Sequence, residues 1–399
     1  MDTFFKDLGD HVLAEWKHAN FSLGSFPAIA SAALKRMPPS ENVDLESFLH
    51  AFLLDDTQPF QTESGFGEPE VVAYDHPRFY VQLLFWMDGT TAIHQHEFSG
   101  AFHVLRGSSI HSQFDFLNVR PVTPYFRVGD LRMKKIDLLE TGATVQIRSG
   151  PKCIHSLFHL DAPSVTVVIR TQNDPGTAPQ FNYHPPHVAL DPLLSDALTM
   201  RRRQVLDVLE QTADPTYTDL VLEMIRELDF ERGFYILQTS RPYLQDLGDW
   251  DNALASFVAK HGRIADGIGA TLEEASRRET IRGLRAHIAE PEHRFFLALL
   301  MNADSLPAVL AVVAKRFPEQ PPEATVLRWA KELIEFPDDD VELLDARFRD
   351  HSPETILAVL EAMMKKNSRR ARGITQAEWD EIRAEFASSS LRVLAAPAS

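Results

Sequence analysis

Two histidines one residue apart carry the first sign of chemistry: His94 and His96, in the run Gly89 to Gly107, GTTAIHQHEFSGAFHVLRG. On a strand, side chains at i and i+2 leave the same face, so both imidazoles point one way and Gln95 points the other. Two such rings hold one cation when a third group reaches in from a different strand. His155, on a later β-rich run between Cys153 and His159, can supply that group. Three neutral imidazoles leave coordination positions open for substrate, water or O2, and suit iron, zinc, manganese, nickel or copper. His159, four residues past His155, faces the same way on a regular strand, as a fourth ligand, an orienting partner or a core histidine bonded to backbone. His103 has the same range of roles, and His111 is read as structural.

Other chemistries find less support. Cys153 is the sole cysteine, which excludes an internal disulfide and any cysteine-rich zinc site. There is no P-loop, no GxGxxG and no GxSxG, and the Glu290-x-Glu292-His293 run lacks the second histidine a helical zinc motif needs. The formal charge of −17 repels phosphate backbones, and no basic stripe with interleaved aromatics offsets it, so nucleic acid is not an expected partner. No run approaches the roughly 20 apolar residues of a membrane span. The N-terminal MDTFFKDLGDHVLAEW lacks the pattern of a secretory signal, which makes the cytoplasm the expected compartment.

The elements that must position these residues fall into stretches of different texture. In residues 1–69, Phe4, Leu8, Val12, Leu13 and Trp16 recur at helix spacing, Phe26 to Met37 predicts a second helix, and a third runs from an Asp44 start through Leu54. Residues 70–175 read as short strands bounded by turn residues: Val71–Tyr74, Phe79–Trp86, Thr91–His96, Ala101–Leu105, Ser109–Phe116, Tyr125–Lys135, Ala143–Ile147, Ile154–Leu160 and Ser164–Thr171. Many short strands favour a sandwich or barrel over a parallel sheet. Residues 176–192 form a Pro-rich linker, and 193–399 an α-helical domain. The expected class is α+β: an antiparallel β-barrel with N-terminal helices and a C-terminal all-α domain.

With these residues in view, the sequence resembles the cupin superfamily. Gly89, His94-x-His96, Gly100 and Gly107 follow the first cupin motif, with Gly100 where a glutamate usually stands; Gly150-Pro151 and His155-x-x-x-His159 follow the second loosely. Within cupins it is most similar to the three-histidine thiol dioxygenases related to cysteine dioxygenase, through the strand ending in Trp86, Ile93-His94-x-His96, Ser99 and Val104-Leu105-x-Gly107. Their Ser-x-His-x-Tyr run corresponds here to Thr166, Val168 and Arg170, so its histidine and tyrosine are absent.

The resemblance implies a cupin-type barrel holding Fe2+ on His94, His96 and His155, with Zn, Ni, Mn or Cu as other fillings. It implies a non-haem iron oxygenase acting with O2 on a small-molecule or peptide substrate, a thiol becoming a sulfinate. Arg78 or Arg170 would anchor a carboxylate by a bidentate pair, and His103 and His159 would relay protons or orient ligands. Two other readings stay open: a redox-inactive lyase, isomerase or hydrolase using the ion as a Lewis acid, and a ligand-sensing barrel with a partner-binding helical half. Cupins often dimerise, so a homo-oligomer is expected.

Overall fold

The computed structural model describes residues 3–62, 66–87, 89–193, 196–335, 348, 351–365 and 373–395. Four helices open the chain: α1 (Thr3–His18), α2 (Phe26–Arg36), α3 (Pro39–Asn42) and α4 (Leu45–Leu54). Twelve strands follow among the described residues: β1 (Glu70–His76), β2 (Phe79–Trp86), β3 (Gly89–Thr90), β4 (Ile93–His96), β5 (Gly100–Arg106), β6 (Ser108–Thr123), β7 (Phe126–Glu140), β8 (Thr144–Ile147), β9 (Gly150–His159), β10 (Ser164–Thr171), β11 (Asn182–His184) and β12 (Val188–Leu190). Described residues beyond Asp196 are almost entirely helical.

One sheet has the order β1-β2-β10-β5-β8, every pair antiparallel. In the other, β9 pairs antiparallel with β3, β4 and β6. Antiparallel strands in two sheets, with helices at both ends, make this the expected α+β class with a cupin-type barrel.

The strand pattern explains why the barrel is buried on both sides. On β2, Phe79, Val81, Leu83 and Phe85 face outward and join Val165, Val167 and Ile169 of β10 in a cluster with Phe5, Leu8, Val12 and Trp16 of α1 and Phe26 of α2. The alternate residues, Leu84 and partly buried Trp86 on β2 and Val168 on β10, turn inward to meet Phe102, Val104 and Leu157. An amphipathic helix laid on one face and a chamber on the other turn a simple alternation into a near-continuous apolar run. The outer wall of β6, β7 and β9 is covered in turn: Ile110, Leu138 and Phe158 pack with Phe295, Phe296, Trp329 and neighbours from the later helices.

Compactness divides the chain into two units. The first comprises residues 1–114, 133–178 and 277–399; the second comprises 115–132 and 179–276, so the chain crosses between them within β6 and β7. In the second unit, β12 pairs antiparallel with both β11 and β7, and Phe126, Val128, Val188 and Leu190 share a core with Tyr217, Val221, Phe230, Phe234 and Phe257. The stretch 176–192, expected as a linker, thus contributes two strands. Tyr183, Val188, Ala189 and Leu190 are buried there, enough apolar surface among the prolines to favour pairing over an open linker. The helices expected as one domain are likewise divided, those up to Ser276 in one unit and those from Arg277 in the other.

Candidate metal centre

His94 and His96 leave β4 on one face, as the two-residue period requires. The pairing with β9 places His94 opposite His155 and His96 opposite Gly150, and this irregularity bunches the three rings instead of spacing them evenly. Ring centroids lie 4.5 Å apart for His94 and His96, 5.0 Å for His94 and His155 and 4.9 Å for His96 and His155. One nitrogen from each ring can be chosen so that all three lie within 4.8 Å of one another, and all three residues are buried.

The hydrogen bonds determine which nitrogens are free. His94 Nδ1 lies 2.7 Å from the Ala92 carbonyl oxygen, which can only accept, so the proton sits on Nδ1 and Nε2 carries a lone pair. That Nε2 is buried without a hydrogen-bond partner. His96 Nε2 and His155 Nε2 face each other at 2.7 Å. On the far side of the His155 ring, Nδ1 lies 2.9 Å from His111 Nε2. Burial holds the pKa of His94 below its usual value and those of His96 and His155 well below it, and the proximity of the rings adds to the last two. Three neutral rings with converging lone pairs, one of them without a partner, fit a divalent cation in chemistry and in place.

Aromatic rings close around the cluster. Phe98 lies 4.4 Å from the His96 ring, Phe102 6.4 Å from His155 and Phe66 6.3 Å from His94. Beside Phe98 stands Arg170, its guanidinium 3.6 Å from the Phe98 ring centre and 5.1 Å from that of Tyr80. Its Nε donates to the Thr171 carbonyl at 3.3 Å. No carboxylate within salt-bridge distance is recorded for it among the described residues, and its charge is felt at His96.

Gly100, the position of the usual cupin glutamate, pairs with Arg170 across β5 and β10. A Cβ built there would come within 2.1 Å of the Ile169 carbonyl oxygen and 3.0 Å of Arg170 Cα. No side chain fits, so a carboxylate ligand from this position is sterically barred. A cationic side chain stands nearby instead.

The other residues singled out from sequence separate clearly. His159 faces inward with His155 but stands apart from the three-ring cluster, stacked on Trp86 at 4.6 Å with the planes 9° apart. His103 pairs its Nε2 with Ser40 Oγ at 2.9 Å and its Nδ1 with Thr144 Oγ1 at 2.8 Å. Phe102, its neighbour on β5, is the one that faces His155, so alternation turns His103 away from the centre. The proton-relay role expected of it finds no path: both ring nitrogens are already engaged on the outer face. Arg78 is exposed beside β2 and stacks over Phe21 at 4.4 Å, so it is not brought to the histidines. His111, read from sequence as structural, is the residue missed. Its signal was register: on β6 it lies two residues from Gln113, the partner of His155.

No protein-family model matches the sequence, and no curated protein matches it. Solved structures do show a likeness over part of the chain. KdgF from Halomonas sp. is 12% identical, over 30% of this chain and 94% of that one, with a TM-score of 0.21. An RmlC-like cupin from Shewanella frigidimarina is 11% identical over 29% and 91%, with a TM-score of 0.19. The capsular polysaccharide assembling protein CapF from Staphylococcus aureus is 18% identical over 32% of each chain, with a TM-score of 0.23. At these values they say nothing of activity, and the fold rests on the strand order described above.

Proposed function

We propose that this chain is a metal-dependent cupin oxygenase, with His94, His96 and His155 holding ferrous iron and a small carboxylate-bearing substrate bound beside it. The observation that carries the reading is His94 Nε2, a buried lone pair without a donor, whose tautomer is dictated by the Ala92 carbonyl. A ferrous ion held there would supply electrons to O2 and positive charge next to the substrate. Every other task belongs to the protein. Arg170 offers a guanidinium fork to the substrate carboxylate, with Phe98 and Tyr80 holding it in place. Phe66, Phe98 and Phe102 keep water from the rings. His111 accepts the Nδ1 proton of His155 and so keeps Nε2 of that ring free for the ion. With a thiol as substrate, the product would be a sulfinate.

A second reading is favoured by one specific feature. Thr166, Val168 and Arg170 replace the hydroxyl-histidine-tyrosine set of the thiol dioxygenases, which suits a redox-inactive ion acting as a Lewis acid. One experiment separates the two. Protein purified without oxygen is analysed for metal, reconstituted with Fe2+ or Zn2+, and offered thiols and amino acids while O2 uptake is recorded. The oxygenase reading expects one ion per chain, O2 uptake only with iron, and loss of both in His94→Ala. Turnover with Zn2+ in the absence of O2 overturns it, and native protein that binds no ion overturns both readings.

A further inference from the structure

The inner wall of the barrel holds more unsatisfied polar atoms than a metal centre uses. Besides His94 Nε2, the buried atoms without a hydrogen-bond partner include Trp86 Nε1, His159 Nε2 and Gln82 Oε1. The parity of β2 sends Gln82 and Trp86 inward with Leu84, and the parity of β9 sends His159 inward with His155 and Leu157. Each orphaned buried atom costs about 1–3 kcal/mol unless something in the chamber satisfies it.

Trp86 and His159 form one device. Their rings are stacked nearly parallel, which fixes both in orientation. His159 Nδ1 lies 3.0 Å from Ser109 Oγ on the partner strand β6. With the serine hydroxyl donating to Nδ1, the single proton of a neutral imidazole sits on Nε2. The indole Nε1 is a donor by nature. In that tautomer the stack carries two unspent N–H groups, which call for an acceptor. Phe66 connects this stack to the metal centre, its ring 5.2 Å from Trp86 and 6.3 Å from His94.

We infer that the Trp86–His159 stack is a second polar subsite, which binds an acceptor group, a carboxylate or carbonyl oxygen, at the end of the substrate remote from Arg170. This rests on the proposed reading, in which Arg170 takes the first acidic group. The substrate class then becomes an acid with polar groups at both ends, long enough to run along β2 from Tyr80, opposite Arg170, towards Trp86. An apolar tail would leave both N–H groups unsatisfied, and that penalty is the source of the selectivity.

The test uses full-length protein loaded with Co2+, whose visible bands report the centre, and calorimetric titration with adipate, suberate, sebacate and dodecanedioate against hexanoate, octanoate, decanoate and dodecanoate. The tightest dicarboxylate is expected to bind about tenfold or more tighter than the monocarboxylate of equal length. Trp86→Phe and His159→Phe, which keep aromatic rings in the stack, are expected to reduce that ratio to about threefold or less. Their monocarboxylate affinity and Co2+ bands should not change. Equal binding of the two series by native protein overturns the subsite, as does absence of dicarboxylate binding or an equal weakening of both series by both substitutions. A ratio that survives both substitutions assigns the second anchor elsewhere and also overturns it. Failure of the proposed reading looks different: native protein that takes up no Co2+, or Arg170→Gln that binds monocarboxylates as native protein does.

Discussion

Two tryptophans in the same unit, Trp329 buried and Trp86 partly buried, meet opposite fates. Trp329, in the helix Pro322–Ile334, donates its Nε1 to Glu292 at 2.7 Å, an oxygen that Arg328 also holds at 2.7 Å. Trp86, on the barrel wall, leaves its Nε1 without a partner. Histidines divide in the same way: His103 on the outer face has both nitrogens bonded to hydroxyls, whereas His94 and His159 on the inner face each keep one idle. At Trp329 and His103 the chain supplies the partner, because an unmade hydrogen bond is costly. In the chamber, Trp86, His94 and His159 each keep one nitrogen to which the chain gives no partner.

The sharpest test of this contrast is steric. Gly100→Ala places a methyl against the Ile169 carbonyl, between two backbones that cannot yield as a flexible side chain would. We expect a loss of about 3 kcal/mol, at the upper end of overpacking, in chemical denaturation. A change below about 1 kcal/mol would show that β5 and β10 can part there, and that the missing glutamate has another cause.

His111→Phe comes next, as it keeps a ring beside His155 but removes the acceptor for Nδ1. Metal affinity should fall about 10- to 100-fold with little loss of folded protein, as read by competition with a coloured chelator. An unchanged affinity would make His111 a packing residue only.

The tryptophans can then be compared directly. Trp329→Phe removes a bond to a charged acceptor and Trp86→Phe removes none, so the first should destabilise the chain by about 1.5 kcal/mol more than the second. Equal losses in denaturant titrations would remove the distinction drawn between the two regions.

The smallest effect concerns pH. Burial lowers the His103 pKa from 6.5 to about 4. Below pH 6.5 the unfolded chain takes up that proton first, so the stability present above pH 6.5 declines as pH falls and the decline levels off near pH 4. His103→Gln should have a shallower slope of stability against pH in that window than native protein. Parallel slopes would mean that His103 is protonated in the folded state as readily as in the unfolded one.

Much of the fold was legible because it is local. The helices around Phe4–Trp16, Phe26–Met37 and Asp44–Leu54 reappear as α1, α2 and α4, and Phe79–Trp86 and Ser164–Thr171 match β2 and β10 end to end. Propensity and alternation are short-range, so a window of ten residues contains them. The run 176–192 misled because its prolines and turn formers outweighed two three-residue strands that only a partner strand stabilises.

Sequence by itself determined that His94 and His96 share a face, since strand geometry permits nothing else, and that with one cysteine any metal site must draw on histidines and carboxylates. Tertiary structure decided the rest. It brought His155 across 59 residues to His96, turned His103 outward and His159 inward, set His111 behind a ligand and left Trp86 without an acceptor. The reason is physical: which face a residue presents follows from its own strand, but what it meets there depends on the register of strands far away in the chain, and a shift of one residue would exchange every inward group for its outward neighbour.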